Sequence, residues 1–119
     1  IGAGTNNSNL KNNYSTVKFN FNEKEIDSNR LFLGSMIGDY TRIGISSMIN
    51  TGTFIGLGSN IFGTDFLNKY TKSFSWGRND IVKLDRFLDT CEKMKNRRGE
   101  TLSDIERQLM IRLYNDKKI

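Results

Sequence analysis

Residues 68 to 79, NKYTKSFSWGRN, interleave Tyr70, Phe74 and Trp76 with Lys69, Lys72 and Arg78. Rings beside cations are what a chain uses to clamp a nucleotide, because a ring stacks on a base while a cation meets a phosphate. The same composition also serves a plainer purpose, a lid whose rings cover the layer beneath, and the segment reads first as that lid. Other chemistry is scarce. The sequence contains no histidine, so neither a Ser-His nucleophile nor an imidazole base can be assembled within it or borrowed from an identical subunit. The one cysteine, Cys91, falls on an apolar helical stripe and reads as core rather than nucleophile. With Cys91 alone and histidine absent, nothing spells metal ligation, and no P-loop or dinucleotide fingerprint is present.

The element that must position these residues runs from Leu31 to Leu67. Leu31, Ile37, Ile43, Ile49, Ile55, Ile61 and Leu67 recur at every sixth position without a miss. Four positions after each anchor sits a small residue (Ser35, Thr41, Ser47, Thr53, Ser59), with Asp65 the first exception. Gly38, Gly44 and Gly56 directly follow anchors, where a Cβ would crowd a turn or a positive φ is needed. A period of six is neither the 2.0 of a strand nor the 3.6 of a helix. It predicts a hexapeptide β-helix, three hexads per coil, with the anchors stacked inward and two full coils in this run. Ordinary short strands joined by glycine turns are the alternative, but they do not keep a fixed period.

The flanks follow from this frame. Ile1-Gly2-Ala3-Gly4-Thr5 is itself a hexad start, and a bare coil end exposes anchors and strand edges, so earlier coils are expected to precede it. Residues 6–30 read as a corner insertion: an Asn-rich loop, then alternating Val17, Phe19 and Phe21, then a return strand through Ile26. A helix is predicted over 80–98, capped by Asp80 and ended by Gly99, with Ile81, Leu84, Phe87, Leu88, Cys91 and Met94 on its apolar stripe. Ser103 and Glu106 form a capping box for a second helix that turns Ile105, Leu109, Leu113 and Met110 inward. The expected division is therefore residues 1–77, a β-helix with insertion 6–30 and aromatic lid 68–77, and residues 78–119, a helical hairpin capping it. Of the net charge of +5, all lies beyond residue 67, where thirteen basic side chains face eight acidic ones. The acids are interspersed, which argues for a solvated helical surface rather than nucleic-acid binding. A single cysteine fits a cytoplasmic setting, and no apolar run reaches membrane-spanning length.

A longer set of motifs is more specific. IGAGT with SNLKNNY, then GSMIGDYTRIGISSMINTGTFIG, SNIFG, SFSWG and RRGETLSDIE, resembles the C-terminal part of bacterial sugar nucleotidyltransferases. These are similar to the bifunctional glucosamine-1-phosphate acetyltransferase and N-acetylglucosamine-1-phosphate uridylyltransferase. The resemblance covers nearly the whole chain. It implies a left-handed parallel β-helix of hexapeptide repeats, mainly β, and a homotrimer. It also implies acetyl-CoA as co-substrate, an amino-sugar phosphate as acceptor, and a nucleotidyltransferase domain ahead of this chain. The family's Asn-Tyr pair after IGAGT matches here at Asn9, whereas Leu10 stands for the tyrosine; the family's catalytic histidine lies upstream of the motif. The candidate acyl-CoA and substrate contacts are Asn9, Ser35, Lys72 and Trp76, with no catalytic and no metal-ligating residue in the chain. The alternative reading is a trimerising, regulatory scaffold that does no chemistry.

Overall fold

The computed structural model describes residues 1–116. In chain order it contains β1 (Asn6–Asn7), β2 (Lys18–Phe21), β3 (Lys24–Asp27), β4 (Met36–Ile37), β5 (Arg42–Ile43), β6 (Met48–Ile49), β7 (Phe54–Ile55) and β8 (Asn60–Ile61). There follow β9 (Tyr70–Thr71), β10 (Ser75–Trp76), β11 (Asp80–Ile81), α1 (Leu84–Asn96) and α2 (Asp104–Asp116).

The regular left-handed β-helix expected above is not what the chain forms. The strands fall into four small sheets: β1–β6, β4–β7–β9, β5–β8–β10–β11 and the antiparallel pair β2–β3. Most pairings are parallel, but β11 runs antiparallel to β10. The two helices are thirteen residues each, so the fold is not mainly β either. The physical reason is that the pairing offset does not stay constant. Met36 faces Phe54 and Arg42 faces Asn60, each eighteen residues on. Phe54 then faces Tyr70 and Asn60 faces Trp76, only sixteen residues on. Asn6 pairs with Met48 across the whole β2–β3 excursion. A regular coil repeats one offset; beyond the excursion, this chain drops from eighteen to sixteen and then reverses direction at β11.

The six-residue spacing still decides which side chains share an interior. Ile43, Ile49, Ile55 and Ile61 form one buried cluster, with Leu67 packed against it. Leu31 and Ile37, on the same spacing, are about two-fifths exposed, and Ile1 is 82% exposed. The small residues after the central anchors satisfy the backbone: the Ser47 hydroxyl donates to Gly44 O at 2.8 Å, and the Ser59 hydroxyl to Gly56 O at 3.0 Å. The glycine after an anchor answers to crowding, not to φ. A Cβ on Gly56 would lie 2.4 Å from Ser73 N. Positive φ recurs instead three residues after the anchor, at Tyr40, Ser46, Gly52 and Gly58.

The excursion begins later than residue 6, since Asn6–Asn7 is already a paired strand. Its hairpin closes through Asn22 and Glu23, both at positive φ, as a two-residue turn of this hand requires. It folds back on the sheets: Phe21 meets Phe54 edge-on at 5.1 Å, and the Tyr70 hydroxyl donates to Asn22 Oδ1 at 3.1 Å.

The first helix is shorter than 80–98. Asp80 and Ile81 belong to β11, opposite Trp76 and Ser75, and the N-cap is Lys83 without a side-chain bond. Backbone pairing has overridden the local capping preference of Asp80. For α2 the Ser103 hydroxyl accepts the Glu106 N–H at 3.2 Å, which is half of the expected capping box. Its inward face differs from the sequence expectation. Met110 is buried and Leu113 packs on the core, but Ile105 is 84% exposed and Leu109 about half. Phe74, Val82, Phe87, Cys91, Leu102 and Met110 make a second core that fixes the helices to the strands. Burial there pushes the Cys91 thiol up to about 11, as suits a core residue.

Candidate functional site

Segment 68–81 is more than a cover. It supplies β9, β10 and β11, and the turns between them frame a cleft of about 480 Å³. Phe74 makes the first turn at φ 62° and Gly77 the second at φ 60°. The Phe74 ring is held edge-on between Phe87 at 5.2 Å and Tyr114 at 5.0 Å, so the first turn is locked to the helices. The Lys72 carbonyl accepts both the Ser59 hydroxyl at 3.0 Å and the Ser75 hydroxyl at 2.7 Å. Those bonds fix the backbone from which the exposed Lys72 side chain lines the cleft.

Lys72, Arg78 and Asp80 are the charged residues of the lining, with Phe62, Phe74 and Ile81 among its apolar ones. Arg78 donates to Phe66 O at 3.1 Å and stands 3.5 Å from Asp65 Oδ2, both side chains well exposed. An exposed pair of that length contributes little, so Arg78 remains available to a stronger anion. Thr71, Ser73 and Ser75 line the same cleft. Two cations beside hydroxyls and an apolar wall suit a phosphorylated ligand with a non-polar part.

The four residues proposed from sequence do not converge. Lys72 lines the cleft, and Trp76 stands next to it, packed edge-on against Phe62 at 5.6 Å. Asn9 and Ser35 lie elsewhere. The Asn9 carbonyl accepts the Leu33 N–H at 3.0 Å, two residues before Ser35, which leads into β4. Strand β4 is separated from β9 by β7, so the two pairs lie on the order of 10 Å apart or more. The Ser35 hydroxyl is buried and unpartnered among the described residues. Phe62 and Asp80 line the cleft without having been expected there; from the sequence, Asp80 reads as a helix cap. Phe62 had a signal: it occupies the position after an anchor where Gly38, Gly44 and Gly56 stand.

A second cluster joins the strands to the helices around a shallow hollow of about 410 Å³. The Tyr40 hydroxyl donates to the Glu106 carboxylate, and Lys95 Nζ lies 3.2 Å from Glu106 and 3.4 Å from Glu100. Burial first, then the bond to Glu106, pushes the Tyr40 phenol up to about 12. The bond from Tyr40, aided by Lys95, holds the Glu106 carboxyl below its ordinary value. A raised phenol favours the neutral folded form. Its contribution is therefore complete below pH 10 and is lost as pH rises through about 12. The denaturation midpoint is expected to fall over that window in the native chain. Tyr40→Phe is expected to cost about 1 kcal/mol at neutral pH and to flatten the alkaline fall; an unchanged fall contradicts this assignment.

Neither a protein-family model nor a curated protein matches this sequence. Among the described residues, no helix is long and apolar enough to cross a membrane.

Proposed function

We propose that this chain is the ligand-holding, C-terminal part of an acyl-CoA-dependent transferase joined to a sugar nucleotidyltransferase, working as a cytoplasmic homotrimer. The acyl group passes from acyl-CoA to the amine of an amino-sugar phosphate. The observation that carries the reading is the cleft in which Lys72 and Arg78 stand beside an apolar wall. The motif resemblance supports it independently. It does not rest on a solenoid, which the chain does not form.

The chemistry divides between this chain and its surroundings. The acceptor amine attacks the thioester carbonyl, the C–N bond forms, the C–S bond breaks, and the thiol departs with a proton. A base must take the amine proton, and the motif resemblance assigns that task to a histidine outside this chain, which has none. What these residues supply is grip on phosphate: Lys72 as a mobile point charge, Arg78 as a planar fork. Binding to the folded state alone raises stability by roughly 2.7 kcal/mol at a hundredfold excess over Kd. Acetyl-CoA is therefore expected to raise the melting temperature by several degrees, and Lys72→Ala to cut that shift. No shift at millimolar acetyl-CoA overturns the reading.

The scaffold reading has one observation of its own. Ile1, Leu31, Ile37 and Ile45 are exposed, and among the described residues strands β1 and β4 each have a strand partner on one side only. Such edges invite assembly.

A further inference from the structure

Trp76, on β10, is 43% exposed, and Phe62, the residue directly after β8, is 46% exposed. Their rings meet at 5.6 Å with an interplanar angle of 72°, an edge-to-face contact. Such a contact leaves at least one ring face open to a third ring. Phe62 is common to the pair and to the cleft lining. It also crosses the Gly77 turn closely: a Cβ on Gly77 would lie 3.2 Å from Phe62 Cζ. The bare glycine thus lets Phe62 lie down beside Arg78, the next residue. Ile81, also exposed, lines the same cleft as Phe62. Large exposed rings next to cations that hold no strong partner form a two-part surface, one part for a planar group and one for an anion.

We infer that the Phe62–Trp76 pair is a stacking platform for the base of an adenine nucleotide whose phosphates lie on Lys72 and Arg78. This rests on the reading of the cleft as the acyl-CoA site and states which end of that ligand it grips. The nucleotide end binds here, and the thioester end points away toward a base from outside this chain. Arg78 exchanges its long contact with Asp65 for the phosphate, which carries more charge and offers two acceptors to the guanidinium. Asp80, in the same lining, repels an anion placed too deep and keeps the phosphates at the Lys72 side.

Trp76 is the only tryptophan in the chain, so its fluorescence reports stacking directly. ADP is expected to quench it saturably, with Lys72→Ala raising the apparent Kd by about tenfold. Phe62→Leu, which keeps an apolar side chain against Gly77, is expected to weaken ADP while leaving binding of 4′-phosphopantetheine unchanged. ADP binding that leaves Trp76 emission unaltered overturns the platform, and so does no ADP binding at all. The two readings fail separately. Acetyl-CoA raising the melting temperature with Trp76 silent removes the platform and keeps the acyl-CoA site. ADP quenching with acetyl-CoA bound no more tightly than ADP removes the acyl-CoA reading and keeps a nucleotide platform.

Discussion

Replacing Ile49 by aspartate is expected to unfold the chain. Ile49 is 2% exposed, enclosed by Ile43, Ile55 and Ile61. A carboxylate there has no cation or donor in the cluster. An uncompensated buried charge costs about 3–5 kcal/mol, and the lost isoleucine packing adds to it. A domain of this size has only about 5–15 kcal/mol to lose. Circular dichroism should show no cooperative transition. The same substitution at Ile37, equally on the six-residue spacing but 38% exposed, leaves the carboxylate within reach of water and is expected to cost less than half as much. Equal effects at the two positions would mean that burial does not end where the structure places it.

The second large effect is at Gly56. An added Cβ would lie 2.4 Å from Ser73 N and 2.7 Å from Ser73 Cα, both backbone atoms. Backbone held by the Phe74 turn cannot step aside as a flexible side chain would. Gly56→Ala is therefore expected to cost about 2–3 kcal/mol, read as a lowered urea midpoint with unchanged slope. Because Ser73 lines the cleft, the same variant should also weaken acetyl-CoA. Gly44, which also follows an anchor, has its nearest neighbour at 3.3 Å and should cost less than half as much. If Gly44→Ala proved the worse of the two, the close approach of the 72–74 turn to β7 would be wrong.

The contrast between these positions shows what the spacing could and could not reveal. A six-residue period states which side chains face the same way, and it correctly groups Ile43, Ile49, Ile55 and Ile61. It does not state where each strand finds its partner. The pattern itself loosens after Ile61, where Phe62 replaces a glycine and Asp65 a small residue. Across that stretch the pairing offset shortens from eighteen to sixteen. The helices show the same limit. Ile105 and Leu109 are i, i+4 neighbours and read as an inward pair, yet the inward face is Glu106, Met110, Leu113 and Tyr114. Glu106 is held inward by the Tyr40 hydroxyl and by Lys95, which turns Ile105 to solvent. No local pattern foretells a bond between residues 66 apart in sequence.

For the candidate site, the interleaved rings and cations of 68–79 read first as a lid, with a nucleotide clamp as the alternative; the structure forms a cleft there. Asn9, taken from the motif resemblance, and Ser35, one of the small residues of the six-residue pattern, do not line that cleft. Phe62 stands where the glycine-after-anchor pattern breaks.

The place where an acyl-CoA lies decides between the cleft and the Asn9–Ser35 region. A crystal structure of this chain grown with acetyl-CoA measures that directly. The prediction is phosphate oxygens within hydrogen-bond distance of Lys72 Nζ and the Arg78 guanidinium, with the adenine against the Phe62–Trp76 pair. Ligand density beside Asn9 and Ser35 with the 72–81 cleft unchanged would contradict it.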